Sequence, residues 1–416
     1  MVEKITLDNG VRIVCEHIPH VRSVSFGLWL GVGSRFETPG LFGASHFIEH
    51  LLFKGTETRT TAELAEEMDQ LGGQINAFTT KECTCFYARV LDLNLRRTVD
   101  LLADMFFRSR FRDVDIEAER GIISEEIDMY EDSPEDLVSE LLFETVFAPS
   151  TLASPILGTK ESLGALTRDG LLGYKAAHYT PGRLVIALSG NFTAADLDYL
   201  RGMFASMSPG TPAMPEPAVY TPAITLREKP IEQNHLCFLL PGLAMDSEDR
   251  HAAQLLLNIL GGGMSSRLFQ TVRETHGLCY NIYSFGASYR DLGTIGIYTA
   301  LSAETEAKAL ALIMDTLRNL QSEGVTIEEL DRAREQVKSN VLMSLESTSA
   351  RMNSLGKGEL YRGHIPTPEE IIACYDAVNC TDMLEIAQRL IDFEHLSFSA
   401  VGPVGDEAKY RKLLGI

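Results

Sequence analysis

The chain has no long apolar run. Its longest apolar stretches, such as residues 236–245, fall far short of the roughly 20 residues that a membrane-spanning helix needs. The N-terminus also lacks the basic region and the apolar region that together make a secretory signal. We therefore expect a soluble, cytoplasmic protein with no membrane partner, unless a targeting segment was removed beforehand.

Paired cysteines are missing as well. The seven cysteines are odd in number and scattered over 416 residues, so they predict no disulfide framework and fit a reducing compartment best. Cys83 and Cys85 lie two apart in a predicted strand and face the same side. No second cysteine pair has the spacing of metal ligands, which favours two small strand residues over a metal site.

Basic residues are scarce. Lysine and arginine total 37 against 58 aspartates and glutamates, which gives a net charge of −21. Because phosphate binding needs a basic surface, nucleic acid is not expected as a partner. A chain of this charge attracts cationic ligands, including basic peptides. The alternative is that the charge serves solubility alone.

What the chain does have is an ordinary globular balance, with 45% hydrophobic and 23% charged residues over a length that suggests two to three domains. Five prolines lie between Met207 and Pro222. A segment so rich in proline favours an extended spacer over a helix or a central strand. We predict a first domain over residues 1–208, a linker over 209–222 and a second domain over 223–416.

The two halves have similar patterns, which indicates an internal repeat. Each half opens with an apolar strand and a helix, continues with strand pairs, and contains a long charged helix past its middle. The pattern predicts an α+β fold built twice, in which each domain is an antiparallel β-sheet flanked by helices. The matching elements are strands 24–30 and 235–240, helices 44–53 and 251–260, and charged helices 115–129 and 328–345.

A candidate metal site lies on the first of these helices. His46, Glu49 and His50 occupy positions i, i+3 and i+4, which share one helical face. Two imidazoles one turn apart can both reach a single Zn²⁺ at ~2.0–2.1 Å, and Glu49 is then placed to take a proton from a metal-bound water. The pattern His-x-x-Glu-His is the inverse of the commoner zinc-helix motif. The alternative is an amphipathic helix with three polar residues by chance, although burying them without a metal would be costly.

A catalytic zinc needs a third protein ligand and an open position for water. The charged helix 115–129 offers Glu119 and Glu126, which lie two turns apart on about the same face. Glu125 points roughly 100° away from Glu126. Spacing alone does not choose between Glu119 and Glu126.

The second half has lost these polar residues. When the halves are aligned at the glycines that follow each first helix, apolar residues stand opposite His46, Glu49 and His50. When the charged helices are aligned, Val341 stands opposite Glu126. We therefore expect only the first domain to hold a metal.

These motifs resemble those of the pitrilysin family of zinc peptidases, which includes insulin-degrading enzyme, and the chain is most similar to the two-domain bacterial members related to mitochondrial processing peptidase. The resemblance covers nearly the whole chain, and the 75 residues between His50 and Glu126 match the family's separation. It implies one zinc per chain, Glu126 as the third ligand, and Glu119 as a carboxylate that orients a histidine from behind. The segments that carry it are 33–37, 43–55, 119–120 and 125–127.

The second half also resembles the family, over residues 265–269 and 273–280. The resemblance implies that Arg273 and Tyr280, seven residues apart, hold the substrate backbone and the developing oxyanion. From the residues alone, Arg273 is a surface charge on a helix and Tyr280 is a half-buried strand residue.

Residues 72–79 resemble the strand to which the family's substrates add as an extra β-strand. The resemblance implies that Asn76, Ala77 and Phe78 bind the substrate backbone, a mode that tolerates many side chains. The alternative is an ordinary turn into a strand.

The function that the resemblance implies is that of a zinc endopeptidase, processing-peptidase-like, acting on peptides in a closed chamber. Twelve acidic residues and a single base between Asp113 and Glu140 favour basic substrates. Because larger family members carry four such domains, we expect a homodimer with shared active sites. The alternatives are a non-catalytic core subunit of the same fold, and a carrier that only binds zinc or peptide.

Overall fold

The computed structural model describes residues 2–210 and 214–416, so residues 211–213 of the predicted linker lie outside the described residues. The chain forms two compact units. The first comprises Met1–Asp128, Ser154–Glu216 and Met343–Pro366, and the second comprises Met129–Ala153, Pro217–Leu342 and Thr367–Ile416. These units differ from the contiguous domains 1–208 and 223–416 that the sequence predicts.

The first unit contains a six-stranded sheet in the order β1-β2-β6-β3-β5-β4. All neighbours are antiparallel except β2 and β6, which are parallel. The strand β6 is buried along its whole length because helices cover both faces of the sheet. The strands are β1 (Val2–Thr6), β2 (Arg12–His17), β3 (Ser23–Leu30), β4 (Gln74–Thr79), β5 (Thr84–Leu91) and β6 (Leu184–Gly190).

Helices before and after β4 and β5 pack against one face of this sheet, and a helix from late in the chain, α12, packs on the other. The helices are α1 (Ala44–Leu52), α2 (Thr61–Leu71), α3 (Leu95–Arg108), α4 (Asp113–Asp132, of which residues up to Asp128 belong here), α6 (Lys160–Ala165), α7 (Arg168–His178), α8 (Ala194–Phe204) and α12 (Thr348–Lys357).

The second unit repeats the architecture of the first. Its five strands lie in the order β7-β11-β8-β10-β9, which matches β2-β6-β3-β5-β4, and here too the first pair is parallel while the others are antiparallel. The predicted repeat of an α+β domain is confirmed, although each sheet contains one parallel pair. The strands are β7 (Ile224–Glu228), β8 (Asn234–Gly242), β9 (Cys279–Ser288), β10 (Gly293–Leu301) and β11 (Ser397–Gly402).

One helix from each half belongs to the other half's unit. The apolar face of α5 packs on β8 and β11, and the apolar face of α12 packs on β3 and β6. Both follow a long charged helix and cover the otherwise bare face of a sheet, which is why the units are not contiguous. The helices of the second unit are α5 (Pro134–Phe147), α9 (Arg250–Gly261), α10 (Glu306–Glu323), α11 (Ile327–Ser344), α13 (Pro368–Ala377), α14 (Cys380–Leu390) and α15 (Glu407–Leu414).

The predicted elements recur within a few residues. Helix 44–53 corresponds to α1, helix 251–260 to α9, and the charged helices to α4 and α11. None of the helices in the described part of the chain combines the length and the apolar character needed to cross a membrane.

Candidate metal centre

The helix α1 separates an apolar face from a polar one. Phe47, Ile48 and Leu51 are buried in the core of the first unit. On the other side, the side chains of His46 and His50 keep 13% and 18% of their surface exposed. The amphipathic pattern therefore fixes the helix to the core and leaves both imidazoles near the surface.

The structure brings His46, His50 and Glu126 together. The two Nε2 atoms each lie 3.8 Å from an oxygen of the Glu126 carboxylate, and the imidazole centroids are 4.5 Å apart. One ligand atom from each residue lies within 4.8 Å of the other two. Ligand atoms that share a zinc at ~2.0–2.1 Å can be at most about 4.2 Å apart, so the two 3.8 Å distances suit such an ion. Two imidazoles and one carboxylate are a donor set that leaves a coordination position open.

Glu119 lies behind this cluster. Its carboxylate is 2% exposed, accepts a hydrogen bond from His50 Nδ1 at 2.9 Å, and lies 2.7 Å from Lys54 Nζ. Burial raises the pKa of Glu119, but the hydrogen bonds from His50 and Lys54 outweigh burial and leave the pKa lowered. An ionised Glu119 keeps the proton of His50 on Nδ1, so Nε2 is the atom available to a metal. Of the two glutamates that spacing left open, Glu126 faces the Nε2 atoms and Glu119 does not.

The two imidazoles differ in their electrostatic surroundings. Burial, reinforced by the charge of His50, lowers the pKa of His46 to about 4. His46 is therefore neutral at neutral pH, the form that ligates metals. Burial also lowers the pKa of His50, but the hydrogen bond to Glu119 and the charges of three glutamates raise it overall. The His46 Nδ1 atom is buried and has no hydrogen-bond partner among the described residues.

The carboxylate of Glu49, on the same helix, is fixed by a hydrogen bond that sequence reasoning missed. Thr79 Oγ1 donates a hydrogen bond of 2.5 Å to Glu49 Oε2. Burial raises the pKa of Glu49, which moves this carboxyl towards the range useful for proton transfer. Thr79 is the last residue of β4, and no local pattern signals its contact with a helix 30 residues earlier in the chain.

The strand β4 is the edge of the first sheet, as predicted. Within that sheet it pairs only with β5, and it contains Asn76, Ala77 and Phe78. The Phe78 ring packs 5.6 Å from that of Trp29, which anchors the strand. The Ala77 amide donates a hydrogen bond to Asn76 Oδ1 at 2.8 Å.

Arg273 and Tyr280 lie together in the second unit. The Arg273 guanidinium sits 4.9 Å from the centre of the Tyr280 ring and 4.6 Å from that of Phe269, in a π-helical segment, Phe269–Thr275. Tyr280, in β9, is 81% exposed, so the half-buried strand residue expected from the residues alone is wrong. The half-buried Arg273 and the exposed Tyr280 form one cation–π pair.

Comparison with known proteins adds to this geometry. Residues 12–160 match a family model described as Insulinase (Peptidase family M16), and residues 165–337 match one described as Peptidase M16 inactive domain. The uncharacterized zinc protease YmxG of Bacillus subtilis (strain 168) is 42% identical over 409 residues, which cover 98% of this chain and 99% of that protein.

Two solved structures share the fold. A peptidase M16 inactive domain from Pseudomonas fluorescens has a TM-score of 0.91 at 21% identity, over 97% of this chain and 98% of that chain. A chain of complex III2 from Candida albicans has a TM-score of 0.85 at 21% identity, over 100% of both chains. Identities this low show likeness of fold alone.

Proposed function

The chain belongs to the insulinase family of peptidases, peptidase family M16, and we propose that it is a zinc-dependent endopeptidase that hydrolyses peptides or unfolded protein segments. The observation that carries the proposal is the convergence of His46, His50 and Glu126, with Glu49 one turn from His46 on the same helix. A binding site for zinc alone would have no use for Glu49.

The proposed chemistry divides among four side chains. His46, His50 and Glu126 would hold one Zn²⁺ per chain. The bound ion would polarise the scissile carbonyl and lower the pKa of water. Glu49 accepts a proton from the attacking water and donates it to the leaving amine, and the hydrogen bond from Thr79 keeps its carboxylate aimed at that task.

We propose that the substrate adds to β4 as an extra strand. Support comes from the position of β4 at the edge of the sheet and from Thr79, which links this strand directly to Glu49. Main-chain pairing through Asn76, Ala77 and Phe78 would place the scissile bond beside the base with few demands on side chains. The Asn76 side chain, which now accepts from the Ala77 amide, would release that amide to the substrate.

A preference for basic peptides is supported by the acidic stretch 113–140, but less strongly than its composition implies. At least five of its carboxylates already pair with bases, which lowers the negative charge left for a substrate. The pairs are Asp115 with Arg112, Glu117 with Arg120, Glu119 with Lys54, Asp128 with Lys160 and Glu131 with Arg227.

We further propose that two chains form a cytoplasmic homodimer that encloses the substrate in a chamber. In this assembly Arg273 and Tyr280 of one chain contact the substrate at the metal centre of the other, where their donor groups stabilise the tetrahedral intermediate. The support is that Tyr280 is exposed and already packs against the Arg273 guanidinium. The cytoplasm suits the seven scattered cysteines.

The second candidate function is that of a non-catalytic core subunit, which the likeness of fold to the complex III2 chain favours. Such a subunit would not need a complete set of metal donors or a base held by Thr79. The two candidates differ in metal content and turnover.

The test measures both quantities. Purified protein should contain about one zinc per chain, and a chelator should abolish cleavage of an unstructured peptide. Glu49→Gln should keep the zinc and lose about 10²-fold or more of kcat, because the carboxylate is needed only for proton transfer. Glu126→Gln and His46→Ala should lower both zinc content and activity.

Glu125→Gln is the matched control, since Glu125 is exposed on the same helix beside Glu126. It should keep both zinc and turnover. Zinc-loaded wild type that cleaves no peptide would favour the core subunit, and near-normal turnover in Glu49→Gln would remove Glu49 as the base.

A further inference from the structure

The segment Gly33–Glu37 is buried although two of its five residues have ionisable side chains. Arg35 and Glu37 are 2% and 1% exposed. Buried charges persist only where they are paired or fully hydrogen-bonded. Their partners therefore indicate what the segment does.

Glu37 binds the N-terminus of the helix that carries His46, Glu49 and His50. Its Oε2 accepts a hydrogen bond from Gly43 N and its Oε1 accepts one from Ser45 N, both at 2.7 Å. The helix α1 has no side-chain cap of its own, because Gly43 occupies the N-cap position at φ +91°. Glu37 thus satisfies amides that would otherwise be orphaned. Burial raises the pKa of its carboxyl to about 8, and the hydrogen bonds from the Ser45 and Gly43 amides oppose that rise.

The rest of the segment binds the turn that follows β4. Ser34 N donates to Thr80 O at 3.2 Å and Arg35 N donates to Lys81 O at 2.8 Å. The Arg35 guanidinium pairs with Glu82 at 2.8 Å, and both side chains are 3% exposed or less. A Cβ at Gly33 would lie 2.0 Å from Thr80 O, so only glycine allows this approach. The contacts begin one residue after Thr79, which holds Glu49.

We propose that Glu37 is a positioning residue for the active site, and this inference rests on the proposed function. Through the two amides at the start of α1, Glu37 sets the orientation of His46, Glu49 and His50 relative to the β4–β5 turn. The segment Gly33–Glu37 thereby joins the N-terminus of α1 to the turn that follows β4, in addition to the Thr79–Glu49 bond.

The isosteric change Glu37→Gln isolates this role. Glutamine keeps the shape of the side chain, but its NH₂ group then faces an amide N–H, so one of the two hydrogen bonds is replaced by a donor facing a donor. We expect the N-terminal turn of α1 to shift and kcat to fall about 10²-fold, the usual consequence of a misplacement near 1 Å. The KM should change little, because Arg35 and Glu82 still hold the turn beside β4.

The experiment compares Glu37→Gln and Glu37→Asp with Glu359→Gln. Glu359 is an equally buried glutamate of the first unit that pairs with Lys4 and Arg12 beside β1 and β2, at the sheet edge remote from β4. The measurements are kcat and KM on an unstructured peptide, zinc affinity by chelator competition, and the visible spectrum of the Co²⁺-substituted protein, which reports ligand geometry.

Glu37→Gln should lower kcat and zinc affinity and alter the cobalt spectrum. Glu37→Asp, which restores two acceptor oxygens on a shorter arm, should recover part of each. Glu359→Gln should leave all three unchanged even where it lowers Tm.

Wild-type zinc affinity and cobalt spectrum in folded Glu37→Gln would overturn the proposal, as would equal losses in Glu359→Gln. Should Glu37→Gln fail to fold, Glu37→Leu and Glu37→Asp are compared instead. A wild-type cobalt spectrum and kcat in Glu37→Leu would overturn the proposal, and so would a Glu37→Asp variant that does not differ from Glu37→Leu. Zinc affinity and the cobalt spectrum test the positioning role of Glu37 even if the wild type has no peptidase activity. A wild type without peptidase activity would instead defeat the proposed function.

Discussion

At the scale of single residues, the nitrogen that carries the proton of His50 decides whether its Nε2 atom is available to a metal. Glu119 accepts that proton's hydrogen bond, and Lys54 lies against the other oxygen of the carboxylate, so the three side chains form a line that ends at His50 Nε2. Because Glu119 is 2% exposed, water cannot replace it as the acceptor.

Glu119→Gln should therefore weaken zinc binding by about 10- to 100-fold, since removing a group that orients a metal ligand typically costs this much. The measurement is competition with a chelator of known affinity. Glu117→Gln is the control, because Glu117 lies on the same helix but its side chain is 70% exposed. Equal zinc affinity in the two variants would show that Glu119 does not orient His50.

At the scale of elements, the important feature is that β4 is an edge strand and that its Thr79 is hydrogen-bonded to Glu49. One side of β4 pairs with β5, and its last residue, Thr79, donates a hydrogen bond to Glu49 on α1. A substrate strand added at this edge would lie in a fixed register with Glu49 without any side-chain pocket. Cleavage should then depend on the backbone of the substrate.

Methylating one substrate amide near the scissile bond should lower kcat/KM about 2- to 10-fold, which corresponds to the loss of one hydrogen bond. Exchanging the neighbouring side chain for another of similar size should have a smaller effect. The measurement is a series of matched peptides cleaved under the same conditions. If side-chain changes dominate and backbone methylation at every position is harmless, the substrate does not bind β4 as a strand.

At the scale of the whole molecule, the described residues contain one cluster of three candidate metal ligands, in the first unit, and the Arg273–Tyr280 pair, in the second. A homodimer with C₂ symmetry would supply two copies of each group and could combine them across the interface. This arrangement makes a prediction that no monomer can fulfil.

Mixing Glu49→Gln chains with Tyr280→Phe chains, each nearly inactive alone, should restore activity. A mixed dimer has one site with both residues intact, so random pairing should recover about a quarter of the wild-type sites. The measurement is peptide cleavage after the chains are mixed and allowed to exchange. No recovery in the presence of demonstrated heterodimers would show that the sites are not shared.

The sequence by itself determined the features that depend on local geometry. Because an α-helix has a fixed pitch, His46, Glu49 and His50 had to share a face of any helix containing them. Because strands and helices have different hydrophobic periods, the repeat of an α+β domain was also visible without coordinates. Both features appear in the structure with boundaries shifted by only a few residues.

Only the tertiary structure decided which distant groups meet. Glu119 and Glu126 share a helix face, so the crossing of α4 over α1 was needed to place Glu126 at the Nε2 atoms and Glu119 at Nδ1. The partners of Glu49 and of the α1 N-terminus, Thr79 and Glu37, are likewise set by long-range packing. The apolar faces of α5 and α12 predict that each covers a sheet but not which one, because hydrophobic burial is non-directional and either sheet would satisfy it.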